Sequence, residues 1–222
     1  MGSELPLKLG VLVSGRGSNL QAIIDAIETK RLAAQIRVVV SDQAEAYALQ
    51  RARLRGIPTA TFYAKDYPSR EDFDRTVMQS LRGHQVELVC LAGFMRILSS
   101  HFIQEYRNRI INIHPALLPS FPGLHVQRKA LEYGVKFSGC TVHFVDEDMD
   151  TGPIIIQAVV PVLDRDTEDS LAARILRLEH QIYPRAIQLI AEGRLQVLGR
   201  RVLCKGSLNE ASQREAWGYI NP

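Results

Sequence analysis

Little in this chain marks it as secreted, membrane-spanning or built to grip nucleic acid. Only three cysteines occur in 222 residues, Cys90, Cys140 and Cys204. They are far apart, odd in number and set in apolar strand-like runs, which argues against a disulfide framework or a zinc pattern. They read as buried thiols of a reducing compartment. No uninterrupted apolar run approaches the roughly 20 residues of a membrane span. Residues 1–8 lack a charged stretch followed by an apolar one, and Pro6 stands where a myristoylation signal needs Ser or Thr. The formal charge is only +3, from 27 basic and 24 acidic residues, without a concentrated basic footprint. These absences point to a cytoplasmic protein with no membrane or nucleic-acid partner. They leave a phosphate-bearing small molecule open as a ligand, and they leave the oligomeric state unassigned.

What is present is a hydrophobic content of 46%, enough for one core, arranged in alternating short strands and helices. Residues 8–13 (KLGVLV) predict a strand, residues 14–19 a small-residue turn, and residues 20–27 a helix. Residues 36–40 predict a second strand, 44–55 a helix closed by Gly56, and 59–63 a third strand. Ser69 and Asp72 resemble a capping box opening a helix through Leu81, closed by Gly83. Strands at 87–92 and 110–113 follow, with a helix at 99–107 between them. After a loop stiffened by Pro115, Pro119 and Pro122 come a helix at 126–133 and two β-rich runs at 138–145 and 153–162. Those two runs suggest either antiparallel pairing or a crossing connection. Residues 167–192 read as the longest helix, and 195–204 as a last strand or hairpin.

The expected fold class is α/β: a Rossmann-like, mostly parallel sheet with helices on both faces and antiparallel strands in the C-terminal part. The chain reads as one domain, with a phosphate-binding half at 1–110, a second half at 111–206 and a tail at 207–222. Ligands of such sheets gather beyond the carboxyl ends of the strands. That rule draws residues 14–19, 93–97, 112–115 and 146–152 toward one crevice.

Gly15 and Gly17 allow a tight turn and close approach to an anion, and the amides opening the next helix point outward with its positive dipole end. Ser18 and Asn19 add side-chain donors. A tight turn with a helix cap explains the same residues equally well. Asp42 would suit an adenine ribose in a nicotinamide dehydrogenase, but a helix-capping aspartate before Ala44 is the preferred reading. Leu20 replaces the glycine of a full dinucleotide pattern, so one phosphate fits better than two.

Asn112 and His114 lie two apart at a strand end and so project from one face. A lone strand-end histidine is more often structural, and the same-face asparagine is what raises the functional reading. Asp146, Glu147, Asp148 and Asp150 share one acidic loop, and the sharp return Thr151-Gly152-Pro153 only slightly favours Asp150 as their partner. His84, His101 and His180 read as surface or satisfied core groups; His125 opens a helix, and His143 would act at most through its neighbours. Asn, His and Asp without an evident nucleophile or metal suit direct attack of an amine on a carbonyl. Asn and a protonated His would stabilise the oxyanion, and Asp would hold the His.

The segments SGRGSNLQAII, LAGFMRILS, INIHPALLPSFPGLH, VHFVDEDMDTGPII and EHQIYP together resemble the glycinamide ribonucleotide formyltransferase family, in order and over nearly the whole chain. Ala116, where Ser is frequent, is a small departure. The resemblance implies transfer of formyl from the co-substrate 10-formyltetrahydrofolate to the glycinamide amine of a purine-pathway ribonucleotide, through a tetrahedral intermediate and without metal. It implies Asn112, His114 and Asp150 as the catalytic groups. It implies Gly17, Ser18 and Asn19 at the substrate phosphate, and Glu179 at the ribose. The folate-facing residues it implies are Arg70, Met95, Arg96, Ile97, Leu98, Asn112, Val145, Asp146, Glu147, Asp148 and Asp150. Structure alone could equally make Glu179 an exposed helix charge, Arg70 a surface residue and 94–98 a buried turn.

Three rivals stand beside that reading. A methionyl-tRNA formyltransferase would share INIHPALLP but add an RNA-binding domain. A formyl-folate deformylase would carry a regulatory domain and have no need of a phosphate loop. In a non-catalytic nucleotide-binding module the Asn-His-Asp set would be incidental.

Overall fold

The computed structural model describes residues 5–205, so the expected tail at 207–222 lies outside the described residues. The chain divides after Asn112 into two compact units. In the first, strands β1 (Leu7–Val13), β2 (Ala34–Ser41), β3 (Thr59–Thr61), β4 (Leu88–Leu91) and β5 (Ile110–His114) alternate with helices α1 (Ser18–Glu28), α2 (Tyr47–Arg53), α3 (Arg70–Gly83) and α4 (Ser100–Glu105). The last two residues of β5 already belong to the second unit.

All pairings among these strands are parallel, and they run in the order β3-β2-β1-β4-β5. The central runs are apolar throughout, as buried parallel strands require: Val11, Leu12 and Val13 and the β2 valines Val38 to Val40 are fully buried. Helices α1 and α3 bury one stripe each, with Leu20 and Ile23 on α1 and Phe73, Val77 and Leu81 on α3. The chain leaves β1 toward β2 on one side and β4 on the other. This reversal of strand order is where parallel sheets open a crevice. The loops after β1 and β4 meet there, the Ser14 amide donating to the Gly93 carbonyl at 3.0 Å.

The second helix corrects the sequence expectation. It begins at Tyr47 rather than Ala44, with Ala46 at the cap position and no side-chain cap. Asp42, expected to cap it, accepts the Ser14 hydroxyl at 2.6 Å instead. The turn before α2 is closed by Ser41, whose Oγ accepts the Gln43 amide. Strand β3 ends at Thr61, and α3 runs through Gly83 to a cap at His84. Ser69 does cap α3, accepting the Asp72 amide.

The second unit contains α5 (Val126–Tyr133), β6 (Phe137–Phe144), β7 (Ile154–Pro161), α6 (Glu168–Ala191) and the hairpin β8 (Leu195–Leu198) with β9 (Arg201–Cys204). Strands β6 and β7 pair antiparallel, which settles the choice left open by the sequence. Helix α6 packs on both. Cys90 and Cys140 are buried as expected, whereas Cys204, on the hairpin, is only half-buried. No helix among the described residues is long and apolar enough to cross a membrane.

The join between β7 and α6 depends on an ion pair that periodicity does not reveal. Asp166 receives two guanidinium nitrogens of Arg174 at 2.6 and 2.7 Å, while Arg174 also donates to the Pro161 carbonyl. Thr167 and Ser170 complete a reciprocal cap one residue later. The Arg174 hydrogen bonds, with further ones from the Leu163 amide and the Ser170 hydroxyl, hold the Asp166 carboxyl well below the usual carboxylate range. A carboxyl depressed on folding stabilises the native state above its unfolded pKa of about 3.9, and that contribution fades as pH falls through the folded value. Asp166→Asn is therefore expected to cost about 1–3 kcal/mol at neutral pH. In denaturant titrations the gap to wild type should narrow as pH falls below about 4; an equal gap at pH 7 and pH 3 would assign the loss to another cause.

Candidate active site

Alternation along β5 turns Asn112 and His114 to one face and Ile111 and Ile113 to the other. His114 is 4% exposed. Its Nε2 lies 2.9 Å from the Phe121 carbonyl. A carbonyl can only accept, so this nitrogen carries a proton and donates. Nδ1 is then the nitrogen turned toward Asp150, whose Oδ2 lies 3.4 Å away.

Two anchors hold Phe121 in place. The loop following β5 is tied to β6 and β7 by Thr141, whose hydroxyl donates to the Ala116 carbonyl and accepts the Leu118 amide. Gln157 donates to the Leu118 carbonyl and to the Thr141 hydroxyl. The ring of Phe121 also meets Tyr133 of α5 edge-on at 5.9 Å.

Asp150 adopts a left-handed backbone, φ +57°, a region that aspartate tolerates better than most residues. Besides His114, its carboxylate accepts the Gly123 amide at 2.8 Å and faces His143 Nε2 at 3.7 Å. His143 is 1% exposed and its Nδ1 donates to the Phe144 carbonyl at 2.8 Å. Burial pulls its pKa below the ordinary histidine range, against the opposing influence of that carbonyl and of Asp150. One carboxylate thus lies between two imidazoles and a backbone amide.

The loop carrying Asp150 is closed by Thr151, which donates to Asp146 at 2.6 Å, and is held from the β8–β9 turn by Arg200, which donates to the Thr151 carbonyl. Glu147 and Asp148 are exposed, and Val145 and Asp146 half-buried. Glu179 of α6 is buried, which corrects the exposed-charge alternative. Burial, and then the charge of Glu179, push the Cys140 thiol far above its usual range, so it is no nucleophile.

In the first unit Gly17 precedes α1 with φ +70°. A Cβ there would lie 2.5 Å from the Ala48 Cβ and 2.7 Å from its Cα, so glycine is required by space as well as by conformation. Ser18 and Asn19 form the first positions of α1, and Asn19 is buried. Beyond β4, the Met95 amide donates to Ser14 Oγ at 3.0 Å. Met95 and Ile97 are exposed and Leu98 buried, while the Arg96 guanidinium stands 4.8 Å over the Phe73 ring. Arg70, first residue of α3, is half-exposed beside Glu71.

The sequence reading missed the Phe121 carbonyl and the Gly123 amide because backbone groups carry no residue signature; His143, read as acting at most through its neighbours, lies with its Nε2 3.7 Å from the Asp150 carboxylate. Gly152 offers a test of the loop. A Cβ there would overlap the Phe144 carbonyl oxygen, so Gly152→Ala must displace the segment bearing Asp150. We expect about 1–3 kcal/mol of destabilisation, together with altered imidazole resonances of His114 and His143. Unchanged resonances in a variant that melts like wild type would refute this account of the loop.

Comparison with known proteins adds an independent line. The family described as Formyl transferase matches residues 7–187. The phosphoribosylglycinamide formyltransferase of Escherichia coli (strain K12) is 48% identical over 191 residues, covering 86% of this chain and 90% of that protein. A trifunctional purine biosynthetic protein adenosine-3 from Drosophila pseudoobscura pseudoobscura is 53% identical over 191 residues, 85% of this chain, but the match spans 14% of its length. A crystal structure of glycinamide ribonucleotide transformylase 1 from Symbiobacterium toebii superposes with a TM-score of 0.89 at 51% identity, covering 91% of this chain and 95% of that one.

Proposed function

The chain belongs to the formyl transferase family, and on that premise we propose that it transfers the formyl group of 10-formyltetrahydrofolate to the amine of glycinamide ribonucleotide in purine biosynthesis. The observation that carries the chemistry is the Asp150 carboxylate 3.4 Å from Nδ1 of a His114 whose other nitrogen is already committed to Phe121. Attack of the amine nitrogen on the formyl carbon moves the carbonyl electron pair onto oxygen and leaves nitrogen positive. Asn112, on the same face of β5 as His114, donates to the oxyanion, and the positive charge of a protonated His114, whose two N–H groups are held by Phe121 and Asp150, stabilises it through space. Asp150 steadies the imidazolium and relays the proton that the nitrogen must lose before the carbon–nitrogen bond to the folate breaks. The folate nitrogen leaves with that proton. With Cys140 held as a buried thiol, direct transfer needs no enzyme-bound formyl.

In this proposal Gly17, Ser18 and Asn19 hold the substrate phosphate and Glu179 the ribose. Met95, Arg96, Ile97 and Leu98 receive the folate ring, as do residues 145–150. Arg70 meets its carboxylate tail. The exposed apolar side chains of Met95 and Ile97 suit a flat ring that covers them, and the half-exposed cation of Arg70 suits a carboxylate. We place the reaction in the cytoplasm, with small-molecule substrates and no nucleic-acid partner.

Incubation with formyl-folate and glycinamide ribonucleotide, water or methionyl-tRNA should give turnover with the ribonucleotide alone; transfer to tRNA or net hydrolysis would replace this function with another of the family. An acceptor stripped of its phosphate should bind far more weakly, because charge-assisted contacts to the amides opening α1 are lost. Equal affinity with and without phosphate would remove the anion site from the proposal.

Asp150→Asn keeps the shape and removes the charge, so turnover should fall about a hundredfold or more while substrate binding changes much less. His114→Asn should show the same kind of loss, and the double variant should fall well short of the product of the two. Asp148→Asn, on the exposed part of the loop, should be milder. Near-normal turnover by Asp150→Asn, measured at saturating substrates, would mean the wrong carboxylate has been chosen.

A further inference from the structure

Asp74 is a carboxylate that the chemistry above does not use, and it is 2% exposed. It lies on α3 four residues after Arg70, so the two share one side of the helix. Its Oδ2 accepts the Ser99 amide at 2.6 Å, and the Ser99 side chain adds a second hydrogen bond. Ser99 is itself 1% exposed and caps α4, accepting the Phe102 amide. The Arg96 guanidinium sits over Phe73, the helix neighbour of Asp74, and its buried Nε has no acceptor among the described residues. A buried carboxylate bonded to a backbone amide and facing two cations needs those partners to remain charged.

The same loop is fixed at its other end. The Gly93 carbonyl accepts the Ser14 amide, and the Met95 amide donates to the Ser14 hydroxyl, which donates in turn to Asp42. Residues 93–99 are therefore stretched between two carboxylates, Asp42 through Ser14 at the start and Asp74 through Ser99 at the end. Between these fixed points the loop turns Met95 and Ile97 outward, 68% and 57% exposed. Large apolar side chains held outward on a tethered loop form a surface set in shape before any ligand arrives.

We propose that Asp74 is a positioning residue for the folate: by anchoring Ser99 and attracting Arg70 and Arg96, it sets the loop's apolar side chains and the two cations in their ligand-ready arrangement. The inference rests on the folate reading of this loop. Burial raises the Asp74 carboxyl above the usual carboxylate range, opposed by the Ser99 hydrogen bonds and by Arg70 and Arg96. Those two arginines, one on its own helix and one on the loop, are the charged groups facing it. On acidification Asp74 thus takes up a proton before an ordinary carboxylate would, and its hold on the arginines weakens.

The test is steady-state kinetics of the full chain with Asp74→Asn, alongside hydrogen exchange of residues 94–99. KM for formyl-folate should rise about tenfold, with kcat and KM for the ribonucleotide within roughly twofold of wild type. In wild type the folate KM should climb on acidification at a higher pH than an ordinary carboxylate would require, while in Asp74→Asn it should be high and flat across the same range. Exchange of residues 94–99 should quicken in the variant. Should Asp74→Asn fail to fold, Ser99→Ala, which removes the hydroxyl contact and keeps the amide, should raise the folate KM in the same direction by a smaller factor. Equal rises in both KM values, a loss confined to kcat, an unchanged pH profile or unchanged exchange would each overturn the proposal. Wild-type enzyme inert toward formyl-folate would instead refute the proposed function, and the exchange of residues 94–99 would still decide whether Asp74 anchors the loop.

Discussion

A carboxylate largely shielded from water needs polar partners, and the loops of the second unit bring several of them to Asp150. The Gly123 amide, His114 and His143 converge on it, and each is fixed in turn by something else: His114 by the Phe121 carbonyl, His143 by the Phe144 carbonyl, and the loop of Gly123 by Thr141 and Gln157. The antiparallel pairing of β6 and β7 brings Thr141 and Gln157 face to face as register partners. Sheet register therefore reaches the imidazole through only a few hydrogen bonds. Preorganisation of this kind places the cost of orienting polar groups in folding rather than in the reaction.

The two histidines at Asp150 differ in kind. Each has one ring nitrogen bound to a carbonyl, and each turns the other toward the carboxylate. His143 is buried on a strand and held below the ordinary histidine range, so a neutral ring beside the carboxylate is its resting form at neutral pH. His114 stands at the strand end, where the loop begins. The carboxylate is thus flanked by one imidazole inside a strand and one at a strand end, where the chain turns into the loop that supplies the Gly123 amide.

Most of the architecture was legible because apolar periodicity and turn residues determine it directly. The parallel β1, β2 and β4 runs, the α5 boundaries and the capped start of α3 follow from patterns within a dozen residues. Where the reading slipped, a tertiary partner had intervened. Asp42 looked like a cap for α2 because the Ser14 hydroxyl that takes it up comes from another strand end, and α2 begins late for lack of that cap. The Asn112–His114 pair was readable from strand alternation alone. The choice of Asp150 among four acids was not, since what sets it apart is a left-handed backbone and contacts from residues up to 36 positions away in the chain. Glu179 and Asp74 look like ordinary helix charges in sequence, and only burial distinguishes them.

The contact between Gly17 and Ala48 shows how narrowly the turn before α1 is specified. The missing side chain of one residue is matched by the smallness of another on a different helix, and the Ala48 amide is bonded to the Gly15 carbonyl as well. The vacancy above the loop thus belongs to α2 as much as to the glycine. Enlarging Ala48 would press on the same backbone from the opposite side, so a library that randomises the glycine motif while holding α2 constant would miss half of the determinant. Anyone wishing to widen this turn would have to move the helix, not merely edit the glycines.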